Sequence, residues 1–182
     1  MVTLIGGYSC TGKSYLADRL MKEIGVSYFS IDYLKMGIYR SNKNCGFTPT
    51  DSDDHIAHIL WPIIREMVYT YIENKQDIII EGAYILPEFY DLIDDDYKKD
   101  LNMVFIGFTE EYIRKNFVSG IEGKRSVIEA RYYKEDRPIE VFINGHVDLR
   151  ERARRANVDF YLIGDQYMED TQQIMSAIVG KM

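Results

Sequence analysis

The chain has 182 residues, 46% of them hydrophobic and 28% charged, and a formal net charge of −7. That length suits one domain, residues 1–182, with a substantial core. The charged and aromatic content argues against a disordered chain, and the acidic balance against a general nucleic-acid coat.

The expected elements run in a regular alternation. Val2-Thr3-Leu4-Ile5 fits a short buried strand. After a glycine-containing stretch, residues 14–24 read as a helix, with Leu16, Leu20 and Ile24 recurring every four positions and Gly25 as a stop. Residues 26–31 read as a second strand, and Asp32 opens a short helix with Leu34 and Ile38 on one side. Residues 41–54, rich in Asn, Gly, Pro, Ser and Asp, read as a loop. Residues 55–74 carry a long helical pattern in which Pro62 marks a kink or the true start. Residues 77–81 are a third strand, apolar at Ile78, Ile79 and Ile80 as a central parallel strand should be. Residues 103–108 are the fourth strand, and Thr109 caps the helix that follows, with Glu110 and Glu111 in its first turn. Residues 160–163 are the fifth strand and 170–179 a closing helix. Strands alternating with helices mean an α/β fold with a mainly parallel sheet.

Charge is spread unevenly over these elements. Residues 112–155 hold eleven Lys/Arg against seven Asp/Glu, whereas the remainder holds eleven against twenty-two. On charge alone the basic stretch reads either as solvated helix faces or as a segment that closes over an anionic ligand. The longest apolar runs are far below membrane-spanning length, and Gly6 and Gly7 interrupt the only N-terminal one. Cys10 and Cys45 cannot staple a domain of this size. A soluble, cytoplasmic protein with no membrane or nucleic-acid partner is expected.

Between the first strand and the first helix stands Gly7-Tyr8-Ser9-Cys10-Thr11-Gly12-Lys13-Ser14, which fits G-x-x-x-x-G-K-[ST] at every fixed position. Glycines let the backbone wrap a phosphate chain with successive N–H groups pointing inward. The helix beginning near Lys13 adds its positive dipole end. Lys13 is expected to reach the β- and γ-phosphates and Ser14 to supply a hydroxyl to Mg²⁺. Gly7, Ser9, Cys10, Thr11, Gly12, Lys13, Ser14 and Tyr15 thus form the expected nucleoside-triphosphate-binding set, in the strand-then-helix context the motif requires.

On this motif and the order of elements the chain resembles the small P-loop kinases of the shikimate, gluconate and adenylate kinase group. That group includes 2-phosphoglycerate kinase-like, chloramphenicol phosphotransferase and zeta-toxin relatives. The resemblance implies a three-layer P-loop fold, a five-stranded parallel sheet of order 2-3-1-4-5, helices on both faces, and a helical lid within residues 112–155. It implies ATP and Mg²⁺ as cofactors and the hydroxyl of a small molecule as acceptor.

Asp32, directly after the second strand, matches the position where such kinases orient the acceptor hydroxyl or complete the Mg²⁺ shell; its other reading is a helix cap. Glu81, closing the third strand, is costly to bury without a cation, hydrogen bonds or water. It reads as a Mg²⁺-holding carboxylate, a substrate contact or an arginine's partner, and Gly82 beside it as a place of close substrate approach. Arg40 stands where related kinases grip an anionic acceptor, or is a surface residue. The resemblance makes Arg125, Arg131 and Arg137 candidate lid arginines for the transferring phosphoryl group, with Arg150 and Arg154 on one face of the next helix. Gly164 and Asp165 match the adenine-side loop.

Two further patterns lead nowhere. Asn74-Lys75-Gln76-Asp77 spells the guanine-reading N-K-x-D, but after a helix and before a strand, and no D-x-x-G accompanies it. His55, His58 and His146 have no metal-ligand companions. The competing functions are a nucleoside or nucleotide kinase and a nucleotide-binding regulatory or toxin-type module.

Overall fold

Ile78, Ile79 and Ile80 are all buried inside the sheet that organises the molecule. The computed structural model describes residues 1–123 and 138–182. Its strands are β1 (Val2–Gly7), β2 (Tyr28–Ser30), β3 (Ile78–Glu81), β4 (Leu101–Phe108) and β5 (Asp159–Ile163). They form one five-stranded sheet of order β2-β3-β1-β4-β5, with every neighbouring pair parallel. This is the expected fold.

The apolar runs divide between two cores by the two-residue period of a strand. Leu4, Ile78, Ile80, Met103 and Phe105 face one core, which is covered by α2 (Ile31–Ser41) and α3 (Asp53–Glu73). Ile5, Ile79, Val104 and Ile106 face the other, covered by α1 (Lys13–Ile24), α5 (Glu110–Asn116) and α7 (Tyr167–Val179). Helix α6 (Ile139–Arg155) serves both: Phe142 and Ile143 join the second core, Leu149 and Ala153 the first.

Helix boundaries follow their caps. Gly25 ends α1 in the left-handed conformation, at φ 74°, and its N–H bonds to Met21 O. Ser52 accepts from His55 N at the start of α3, and Thr109 accepts from Tyr112 N at the start of α5. Helix α3 runs unbroken through Pro62, which lies on the exposed face. Asp32 is not a cap: Ser30 holds that position and Asp32 falls in the first turn of α2. Between β3 and β4 the chain makes a 3₁₀ turn (Pro87–Leu92) and the short helix α4 (Asp95–Lys98), neither of which has a periodic pattern to announce it. Helix α7 starts three residues earlier than expected, at Tyr167.

Of the basic stretch, α5, a π turn (Phe117–Glu122) and α6 are described. Arg125, Arg131 and Arg137 lie outside the described residues. Among the described residues no helix is long and apolar enough to cross a membrane.

Candidate active site

Parallel strands deliver their C-terminal ends to one edge of the sheet, and ligands of open α/β sheets bind there. At this edge Ile5 of β1 and Ser30 of β2 both stand in register with Glu81 of β3. The loop from Gly7 to Gly12 leaves the same edge and enters α1.

That loop is organised around one carbonyl. Tyr8 O accepts from Thr11 N at 3.4 Å, from Thr11 Oγ1 at 2.9 Å and from Lys13 Nζ at 2.9 Å. The tight wrap requires left-handed backbone at Gly12, φ 87°, and also at Cys10, φ 63°, where a non-glycine residue bears strain of the kind concentrated at functional sites. Ser9 Oγ lies 3.6 Å from Cys10 Sγ. A side chain at Gly12 would also strike the Tyr167 hydroxyl, 2.6 Å from its Cβ position. Tyr15 packs near the Tyr167 ring, with centroids 6.2 Å apart.

Ser14 donates to Glu81 Oε1 at 3.0 Å, joining the start of α1 to the end of β3. Glu81 is only 2% exposed. Burial pushes its carboxyl above the ordinary range; the Lys13 charge and the hydroxyls of Ser30 and Ser14 oppose that, and the Asp32 charge adds to it. Ser30 Oγ sits outside hydrogen-bonding geometry yet close enough to favour the charged form. Lys13, Ser14, Glu81 and Asp32 therefore form one electrostatic unit.

Asp32 is held from two sides. Lys35 Nζ lies 2.9 Å from its Oδ1, the Tyr84 hydroxyl donates to the same oxygen at 3.3 Å, and Lys35 donates to the Tyr84 hydroxyl at 2.6 Å. Lys35 and Tyr84 are buried, at 8% and 5% exposure, and the sequence reading missed both. The Asp32-to-Lys35 spacing of three on a helix signals proximity; nothing local announces Tyr84.

The other expected residues are placed as follows. Gly82 lets the end of β3 pass the start of α2, because a Cβ there would lie 2.9 Å from Ile31 Cβ. Arg40 is exposed in the last turn of α2. Arg150 and Arg154 are exposed on α6, and Arg154 bonds to Glu151 on the same helix. The arginine of that cluster that turns inward is Arg152, bonded to Glu88 and to Asp54. Asp165 is exposed and paired with Lys115 at 3.0 Å, while Gly164 N donates to Asp170 Oδ2 at 2.7 Å.

Two aromatic residues brace the loop from behind. The Tyr8 ring meets Phe142 edge-on at 5.2 Å and His146 at 5.1 Å, both from α6. His146 is thus a packing residue, with Nδ1 2.9 Å from Phe142 O.

The residues fit a hydrated divalent cation better than a protein cage. Among the described residues no group of three or more His, Cys, Asp or Glu could hold a metal. One hydroxyl and one carboxylate, with water and phosphate completing the shell, is the donor set Mg²⁺ accepts.

No family model and no curated protein matches the sequence. The fold does match solved structures. Shikimate kinase from Bacteroides thetaiotaomicron superposes with a TM-score of 0.57 at 13% identity, covering 98% of each chain. Shikimate kinase from Aquifex aeolicus gives 0.55 at 15% identity, covering 99% of this chain and 97% of that one. A sugar kinase from Janibacter gives 0.56 at 12% identity, covering 98% and 94%. Over nearly its whole length, therefore, the chain has the P-loop kinase fold of these proteins.

Proposed function

We propose that the chain is an ATP-dependent kinase that transfers the γ-phosphate to a hydroxyl of a small-molecule acceptor. The observation that carries this reading is the Ser14–Glu81 hydrogen bond of 3.0 Å beside buried Lys13, with Asp32 presented from the neighbouring strand end. A phosphate-binding loop alone would suit any nucleotide-binding module; a second carboxylate on the acceptor side suits transfer.

In this reading the N–H groups of the loop and the α1 dipole bind the β- and γ-phosphates. Lys13, swung from Tyr8 O to the phosphates, offsets their charge. Glu81 accepts a hydrogen bond from the Ser14 hydroxyl, which turns the oxygen lone pairs outward and makes Ser14 a better ligand. Ser14, with Glu81 acting through water, would hold Mg²⁺, and the chemistry the ion would supply is charge neutralisation on the transferring group. Asp32 orients the acceptor hydroxyl in line with the γ-phosphorus. The acceptor oxygen–phosphorus bond forms as the bond to the ADP oxygen breaks, and the hydroxyl proton passes to Asp32 or to water. The fold neighbours named for shikimate, a sugar and, in the case of a Mycoplasma mycoides protein, deoxyadenosine support phosphoryl transfer without selecting an acceptor.

The test is an ATP-consumption screen against sugars, hydroxy acids, nucleosides and hydroxylated antibiotics, run with the Lys13→Ala chain beside it. Expected is acceptor-dependent, Mg²⁺-dependent ADP release that falls at least ~10²-fold in the variant, as for loss of a charge-stabilising group. ATP binding without turnover on any acceptor, or full activity in Lys13→Ala, would overturn the reading.

A further inference from the structure

A lysine at 8% exposure is an expensive residue to keep in the wall of a site. Taking an ammonium out of water costs several kcal/mol unless a counter-charge and hydrogen bonds replace the solvent. Lys35 has both replacements within reach: Asp32 Oδ1 at 2.9 Å and the Tyr84 hydroxyl at 2.6 Å, with its Nζ 4.9 Å from the Tyr84 ring centroid. The charge is committed inside the protein, to the carboxylate that faces the acceptor side.

The directions of the bonds define what the pair does. Lys35 and the Tyr84 hydroxyl both approach Oδ1, from α2 and from the segment after β3 respectively. Two contacts from different elements on one oxygen limit rotation of the carboxylate about its side-chain torsions. A half-exposed aspartate in the first turn of a helix would otherwise sample several rotamers. Tyr84 is fixed in turn by burial in the first core.

We propose that Lys35 and Tyr84 are positioning residues that lock the Asp32 carboxylate towards the acceptor hydroxyl. The role rests on the kinase reading above. Lys35 acts through Asp32, so its loss lowers kcat and leaves ATP binding, which belongs to the loop around Lys13, largely intact. Orientation of reacting groups is worth orders of magnitude in rate, and a misplacement of about 1 Å costs roughly 10²-fold.

The experiment compares Lys35→Met, Lys35→Arg and Tyr84→Phe with the parent, using the acceptor found in the screen. Methionine keeps the volume of the stem and removes the charge. Expected are a kcat roughly 10²-fold lower in Lys35→Met, a KM for ATP within about threefold of the parent, and partial recovery in Lys35→Arg. Tyr84→Phe loses less, and the double variant loses less than the product of the two singles, because both act on one oxygen. A crystal structure of Lys35→Met is expected to show Asp32 in a different rotamer. Unchanged kcat, equal losses in kcat and ATP affinity, or an Arg variant no better than Met would overturn the role. If the parent transfers phosphate to no acceptor, the kinase reading falls by itself. The Asp32 rotamer in Lys35→Met would still decide whether Lys35 positions that side chain: an unmoved carboxylate would overturn the proposal.

Discussion

Glu81 shows how a single residue can be kept at the expense of stability. Its carboxyl is raised by burial, from an ordinary value of 4.5, and the folded chain therefore holds the proton to higher pH than the unfolded chain does. The sign follows: this group's contribution to stability is full below the unfolded value and is lost as pH rises through the folded one. At pH 7 the ionised form is a net cost in the ligand-free protein. Glu81→Gln should accordingly raise the Tm of the ligand-free chain at pH 7, with a gain that shrinks towards pH 4.5. The same change should weaken the Mg²⁺-dependent stabilisation by ATP. Thermal melts of both proteins between pH 4.5 and 8 check this, and a lower Tm for the variant at pH 7 would contradict it. Ser14 and Lys13 were readable from the motif because their spacing is fixed by one turn of chain. Glu81 was readable as a carboxylate after a buried strand, but its partner, 67 positions away, was not.

At the scale of elements, the binding loop depends on the helix that follows the basic stretch. Gly145 of α6 sits so close to the Tyr8 ring that a Cβ would come within 2.5 Å of Cζ. A methyl there must displace the ring and, with it, the carbonyl that gathers Thr11 and Lys13. Gly145→Ala gains about 1 kcal/mol of helix propensity but suffers an overpacking cost of about 1–3 kcal/mol. The expected net result is a modest fall in Tm together with a clear loss of ATP affinity. Gly37, in the exposed middle of α2 with nothing within 4 Å of its Cβ position, is the contrast. Gly37→Ala should stabilise by roughly 0.5–1 kcal/mol, since only propensity changes. Melts and ATP titrations of the two variants separate the effects; equal ATP affinity in Gly145→Ala and the parent would refute the coupling.

Across the whole molecule, Arg152 ties three distant segments together. Its side chain, 16% exposed, lies 3.0 Å from Asp54 at the start of α3 and 3.6 Å from Asp148 on its own helix, and bonds to Glu88 in the 3₁₀ turn. Glu88 is held below the ordinary carboxylate range by Arg152, which outweighs its partial burial. The partners are partly exposed, so solvent screening keeps the clamp to about 1 kcal/mol. Arg152→Met should lower Tm by a few degrees at low salt, and the gap should narrow in 0.5 M NaCl as screening grows. A salt-independent difference would point to packing of the stem instead.

The division between what the chain declares locally and what only packing sets is clear in these residues. Composition, continuous apolar runs, the four-residue helical recurrence and one eight-residue motif determined the α/β class, the order of the main strands and helices and the loop between β1 and α1, because each depends on neighbours within a turn or a strand. The resemblance they carried correctly implied the strand order. The tertiary structure decided the rest. It chose Arg152 over Arg150 and Arg154 as the inward arginine, since one turn of α6 sets which guanidinium meets Glu88 and Asp54. It set Gly82 against the start of α2, where a side chain would meet Ile31. It brought Lys35 and Tyr84, 49 positions apart, onto one oxygen of Asp32. Such convergence follows from parallel strands ending at a common edge, and no local pattern of residues records it.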